Sequence, residues 1–214
     1  MISNQQQIMK KIILFSIAAA IFILVAACCD NQAQQTGACR IHGVVTNPNL
    51  EGKKIFLVPF FGPSTAANVD SVEIRQGKFE FATDTLMIAK ILIDYHFRDG
   101  FQPLLVVVEP GDVNVVIDSI SSGGGTPQND SLQLWKQVTE VQQGRIYAFR
   151  KANNHAAADS VYRLYKHYTR SLAANMKEGL LHDFLKHRFP LTYKKQLPDG
   201  RVVTMNSDTN EEIK

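Results

Sequence analysis

Apolar and polar positions alternate with one period in the first part of the chain and with another in the second. Cys39, Ile41, Gly43 and Val45 interleave with Arg40, His42 and Val44, the period-two pattern of a strand with one buried face. Thr46-Asn47-Pro48-Asn49 breaks it, and 55–60 is then apolar on both faces, as a central strand requires. Segments 69–74 and 78–82 flank Arg75-Gln76-Gly77, a turn whose glycine supplies positive φ. In the second of these, Phe79 and Phe81 share a face opposite Lys78 and Glu80. Further strands are read over 89–95, 102–108 and 113–118. Glu109-Pro110-Gly111-Asp112 between the last two suits a type II turn, because Pro fixes φ and Gly permits φ > 0. Short strands joined by turns, with no helix between them, predict an antiparallel β-sandwich of about seven strands over 39–118; a barrel is the alternative.

After Ser121-Ser122-Gly123-Gly124-Gly125 the period becomes helical. The stretch 119–129 reads as a Gly/Ser linker. Leu132, Trp135, Val138, Gln142, Ile146 and Phe149 then mark a first helix, with Asp130 and Gln133 resembling a capping box. Beyond Asn153-Asn154, a second helix carries Val161, Leu164, Tyr165, Tyr168, Leu172 and Met176 on one stripe. Gly179 interrupts it, and a third, short helix stops at Pro190. Segments 192–196 and 201–205 can pair across Leu197-Pro198-Asp199-Gly200, closing a helical segment at 130–205 before a polar, fraying tail at 206–214. The fold class is α+β: the sandwich, then a two-to-three-helix C-terminal segment.

The first 27 residues read as an address. Lys10 and Lys11 precede an apolar run from Ile12 to Val25, too short to span a bilayer and right for a secretory signal. Met9 is an alternative start. Val25-Ala26-Ala27-Cys28 has the form of a bacterial lipobox, which makes Cys28 the lipidated first residue of a 187-residue mature chain. Residues 28–38 then form a flexible tether. The single acidic residue there, Asp30, is a weak surface-export signal, so the expected place is the outer membrane, facing the periplasm.

Composition narrows the function classes. The chain has 214 residues and a net charge of +3, too little for a general nucleic-acid binder. That charge conceals a division: residues 28–129 hold 7 basic and 11 acidic side chains, residues 130–214 hold 14 and 9. Arg163, Lys166, His167, Arg170 and Lys177 fall on one side of the second helix, a candidate face for an anionic partner, although a solvated helix face has the same look. Cys29 and Cys39 are candidate structural thiols, as a disulfide or, more simply, with Cys39 packed beside Ile41 and Val45. The histidines do not space as metal ligands: His182 and His187 lie on different helix faces, and His155 and His167 have no partner in register. Glu109 and Asp112 read as exposed turn residues, and the Gly-rich run has no following lysine to make it a phosphate loop. No cofactor and no catalytic set is expected.

Several motifs, taken in order, resemble a known family: Cys39-Arg40-Ile41-His42-Gly43-Val44-Val45, Asp70-Ser71-Val72-Glu73-Ile74-Arg75-Gln76-Gly77-Lys78-Phe79-Glu80-Phe81, Glu109-Pro110-Gly111-Asp112-Val113 and Gly125-Thr126-Pro127-Gln128-Asn129-Asp130. Together they resemble an uncharacterised β-rich domain near the N-terminus of bacterial lipoproteins, often upstream of a thioredoxin-like, peroxiredoxin-type domain. The resemblance implies an envelope setting and a thioredoxin-like partner. It does not extend to a redox centre, since no cysteine follows Cys39. The expected function is a lipid-anchored envelope protein with a non-catalytic interaction module. The alternatives are an accessory part of a thiol-disulfide oxidoreductase system and a glycan- or lipid-binding module.

Overall fold

A computed structural model describes residues 38–93 and 104–213. The signal sequence, Cys28, Cys29 and nearly all of the expected tether lie outside the described residues, as do the ends of two expected strands at 94–95 and 102–103.

Eight strands build two sheets: β1 (Cys39–Val45), β2 (Lys54–Pro59), β3 (Asp70–Glu73), β4 (Lys78–Thr83), β5 (Met87–Ile93), β6 (Leu104–Val108), β7 (Gly111–Ile117) and β8 (Ser122–Gly124). The first sheet has the order β4-β1-β7-β8 and the second β3-β2-β5-β6. Helices α1 (Pro127–Lys151), α2 (His155–Asn175) and α3 (Leu180–Arg188) follow, then a hairpin of β9 (Thr192–Gln196) and β10 (Val202–Asn206).

The expected α+β class holds, but the purely antiparallel sandwich does not. β1 runs parallel to β7, Cys39 against Gly111 through Val45 against Ile117. A parallel pair needs a long crossover, commonly a helix; here the whole second sheet and β4 supply it. Two turns carry the chain from one sheet to the other, and the first closes locally as the expected hairpin turn, with Arg75 N donating to Lys78 O at 2.9 Å and Lys78 N to Arg75 O at 3.0 Å. β3 and β4 flank Gln76-Gly77 yet belong to different sheets, and so do β6 and β7 on either side of Glu109-Pro110. At the first passage both Gln76 and Gly77 have positive φ, 53° and 66°. The Glu51 carboxylate accepts from both their N–H groups, at 2.6 and 2.9 Å, which holds its own pKa below the ordinary value.

Side-chain alternation explains the layers. Ile41, Val45, Phe81, Val113 and Val115 of the first sheet meet Ile55, Leu57, Ile91, Val106 and Val108 of the second in one core. The opposite face of β5 and β6, through Ile88 and Val107, packs on Leu132, Trp135, Tyr165, Leu181, Phe184 and Leu185 of the helices. β5 and β6 are therefore covered on both sides and are nearly continuous apolar runs. The first sheet keeps its outer face in solvent and alternates more cleanly.

The expected linker at 119–129 is structured. Its Ser122–Gly124 segment pairs antiparallel with β7. Asp118 accepts from the N–H groups of Ile120 and Ser121, and Lys136 Nζ donates to the carbonyls of the same two residues. Partial burial pushes the Lys136 pKa down. The first helix starts a turn earlier than its apolar stripe suggests, with Thr126 at the N-cap and Pro127 in the first turn. Asp130 and Gln133 do not form a capping box; they reach back to accept from Gly125 N (2.8 Å) and Gly123 N (3.2 Å). Sheets and helices consequently share one compact unit, Gly37–Lys214.

Three side chains at this junction replace missing backbone partners. Asn129 lies against the open edge of β6, its Oδ1 accepting from Val107 N at 2.9 Å and its Nδ2 donating to Val107 O at 2.8 Å. Glu109 accepts from Thr126 Oγ1, Gln128 N and Gln128 Nε2, placing a carboxylate at the N-terminus of α1, where the helix dipole favours it. Gln128 Oε1 accepts from Leu181 N at 2.9 Å and so ties the start of α3 to the same point. Glu109 is thus a structural brace, not a solvated turn residue, whereas Asp112 is exposed beside His42 at 3.3 Å.

Candidate functional site

The buried stripe of α2 runs through Ala158, Val161, Tyr165, Thr169 and Ala173 at i, i+3/i+4 spacing. Leu164, expected on this stripe, is 65% exposed. Thr169 is accommodated because Trp135 Nε1 donates to its hydroxyl at 3.1 Å. Thr139 meanwhile bonds the Tyr165 hydroxyl at 2.9 Å and donates to Trp135 O at 2.7 Å.

With that stripe turned inward, the five basic residues divide. Arg163, His167 and Lys177 are exposed. Lys166 and Arg170 are not on the solvated face: their side chains are only 16% and 17% exposed. Both turn toward the segment after α3, where Phe189 ends the helix and the hairpin begins. Arg170 Nε donates to Phe189 O at 2.8 Å, and one terminal nitrogen donates to Pro190 O and Ser207 Oγ at 2.8 and 2.7 Å. Its other terminal nitrogen meets Asp208 Oδ2 at 2.6 Å, while Lys166 Nζ pairs with Asp208 Oδ1. Asn206 Oδ1 accepts from Asp208 N and Thr209 N, an Asx turn that presents the Asp208 carboxylate to the two cations.

The expected frayed tail is therefore a clasp. Ile213 N donates to Thr204 O and Asn206 N to Glu211 O, folding 206–213 back along β10. Hydrogen bonds from Lys166 and then Arg170 hold the Asp208 carboxyl below its ordinary pKa. A depressed carboxyl pKa contributes stability above the unfolded value, near 3.8, and loses it as pH falls through the folded one. Asp208→Asn is expected to lower the melting temperature at pH 7, and the gap from wild type is expected to shrink by pH 3. Thermal melts at the two pH values check this; a gap that is the same at both would remove the ionised clasp from the explanation.

Beside the clasp lies an open cavity of about 390 Å³, lined by Tyr162, Lys166 and Arg170 of α2, Gln143 of α1, Arg188 and Phe189 at the end of α3, and Tyr193 of β9. Phe189 sits edge-on to Tyr162 and Tyr165, at 5.9 and 5.4 Å between centroids, and the Arg188 guanidinium lies 6.0 Å from the Phe189 ring. Cations at one end of a wall of aromatic rings suit an anionic group on a partly apolar ligand. Arg188, Tyr193 and Asp208 were not apparent as site residues: Arg188 comes to α2 from the end of α3, and Tyr193 and Asp208 return to it only through the chain reversal after Pro190. The signal for Asp208 is the Asn206-Ser207-Asp208-Thr209-Asn210 run, which has turn chemistry rather than the look of a tail.

The remaining candidates lie elsewhere. Cys39 forms no disulfide among the described residues; it is 1% exposed among the core residues that include Ile41 and Val45, and burial raises its pKa. A bridge to Cys29 falls outside the described residues. His182 and His187 bond Asp183, the first to its carboxylate and the second to its carbonyl. Among the described residues no group of three His, Cys, Asp or Glu side chains could hold a metal ion, and no helix is long and apolar enough to cross a membrane.

No curated protein matches the chain at a significant level. A family model does match, over the sandwich and the opening turns of α1 but not over α2, α3 or the hairpin. The match is to a family described as a domain of unknown function, DUF4369, and covers residues 39–132.

Proposed function

We propose that the protein is a lipid-anchored component of a bacterial cell envelope, held at the outer membrane facing the periplasm, and that it acts as a non-catalytic interaction module. The lipobox ending at Cys28 supports the anchor, and the cavity beside α2 supports the binding role. The observation that carries the reading is the Asp208 carboxylate seated between Lys166 and Arg170: the site already accommodates an acidic group, and Arg188 and the aromatic wall extend it outward. Its partner is an acidic protein segment, and the motif resemblance makes a thioredoxin-like envelope protein the first class to try.

Two measurements test this. Radiolabelled palmitate is expected to enter the wild-type chain and not Cys28→Ala; equal labelling would sink the anchor. A glutamate-rich peptide is expected to bind the wild-type chain at least about tenfold more tightly than Arg188→Glu, or roughly 1.4 kcal/mol. Arg188 is exposed and takes no part in the clasp, so the variant is expected to keep its fold. Equal affinity for the two chains would sink the binding role.

A further inference from the structure

One end of the sandwich carries an apolar tip, and the chain from Cys28 enters the fold at that same end. Cys39 opens β1 opposite Thr83, the last residue of β4, and Gly111, the first of β7. Only Glu109-Pro110 separates Gly111 from Val108, which pairs with Met87 at the start of β5. β5 in turn pairs Ala89 with Pro59, the last residue of β2. The register thus brings the beginning of β1, the beginning of β5 and the end of β2 to one end of the body.

There β2 runs on into Phe60 and Phe61, which are 36% and 61% exposed, and Leu86, just before β5, is 60% exposed. Phe60 N donates to Ile88 O at 2.8 Å, so the antiparallel run continues and sets Phe61 near Met87 and Leu86. The rings are fixed in place. Phe60 stands edge-on to Phe61 at 4.9 Å and to Phe184 at 5.5 Å, and Asn68 braces the following loop by bonding Pro63 O and Thr65 N at 2.8 Å each. Lys90 places its ammonium 5.8 Å from the Phe60 ring.

We propose that Phe60, Phe61 and Leu86 enter the interfacial layer of the bilayer that holds Cys28, with Lys90 at the level of the lipid phosphates. This rests on the lipid-anchor reading. Eleven residue steps separate Cys28 from Cys39, a reach of at most about 40 Å when extended, so the end of the body bearing Cys39 is kept close to the membrane surface. Aromatic and aliphatic side chains preorganised at such an end gain burial at the headgroup boundary, and a cation beside them complements the phosphates. The acyl chains supply proximity, and the tip supplies orientation.

The test uses the full lipidated chain carrying Phe61→Trp, reconstituted in phosphatidylcholine vesicles with or without brominated acyl chains. The wild-type chain provides the Trp135 background. Insertion to the roughly 5–10 Å depth of interfacial segments is expected to quench about half of the added emission and shift it to the blue. Palmitate labelling of the same preparation separates the two readings. Labelled chain with an unquenched Trp overturns the tip and leaves the anchor standing. Unlabelled chain with a quenched Trp supports the tip as a membrane contact in its own right. Neither label nor quenching overturns both.

Discussion

Asn129→Leu is expected to lose about 3 kcal/mol of folding stability, because it strips two backbone partners from a buried strand edge. Val107 is wholly buried, and its N–H and carbonyl meet the Asn129 amide as they would meet a neighbouring strand. Leucine fills a similar volume and offers neither donor nor acceptor, so both groups would stay desolvated without a bond. The Thr126 hydroxyl, which accepts from Asn129 Nδ2 at 2.8 Å, would lose a partner as well. Urea denaturation of the two chains measures the difference, and a loss below about 1 kcal/mol would show that water or a backbone shift replaces the amide. The amide also closes the β6 edge against other strands, so the variant is expected to aggregate more readily on partial unfolding.

Gly43→Ala is expected to cost about 2–3 kcal/mol, at the upper end of the usual cost of overpacking. Gly43 pairs across the sheet with Phe79, and a Cβ built on Gly43 would lie 2.0 Å from Phe79 Cε1 and Cζ. The ring covers the glycine and packs edge-on against Phe81 at 5.7 Å, with 6% of Phe79 exposed, so it cannot move aside without opening the core. Gly43→Ala combined with Phe79→Leu is expected to be less destabilised than the sum of the two single changes, because the smaller side chain makes room for the methyl. Additive losses in this double-mutant cycle would place the cost of the alanine somewhere other than the ring.

Both positions show how far the pattern of residues reached. The strands were legible because alternation reports which face is buried: Ile41 and Val45, or Phe79 and Phe81, face a core whichever strand lies alongside. Alternation does not name the neighbour. Nothing local in Cys39–Val45 says that β7 lies parallel to it, or that the turns at Gln76-Gly77 and Glu109-Pro110 pass from one sheet to the other. The Gly/Ser stretch misled for a related reason. Small residues suit a linker, but here they let helix and sheet approach, since a Cβ on Gly124 would lie 2.7 Å from the Asp130 carboxylate.

The candidate site was half legible. Helical spacing put Lys166 and Arg170 on one side of α2 with Arg163, and the residues that set them apart are far along the chain. Arg170 bonds Phe189, Pro190, Ser207 and Asp208, none of them closer than 19 residues in sequence. A basic face read from one helix could not reveal that two of its cations were already committed to closing the C-terminal segment.

The parallel pairing of β1 with β7 also has a mechanical side. A chain held at its N-terminal end passes any pull to the body through the residue before Cys39. That load runs along β1, which lies inside its sheet with β4 on one flank and β7 on the other. The ladder bonds on both flanks stand across the line of force, so they resist together in shear rather than opening one after another. Force arriving at residue 213 would meet the β9–β10 hairpin and its folded-back end instead, where the bonds can peel in sequence. The body is therefore strong toward its N-terminal end and yielding at the other, so that stretching would release the clasp around Asp208 before it disturbed the sandwich.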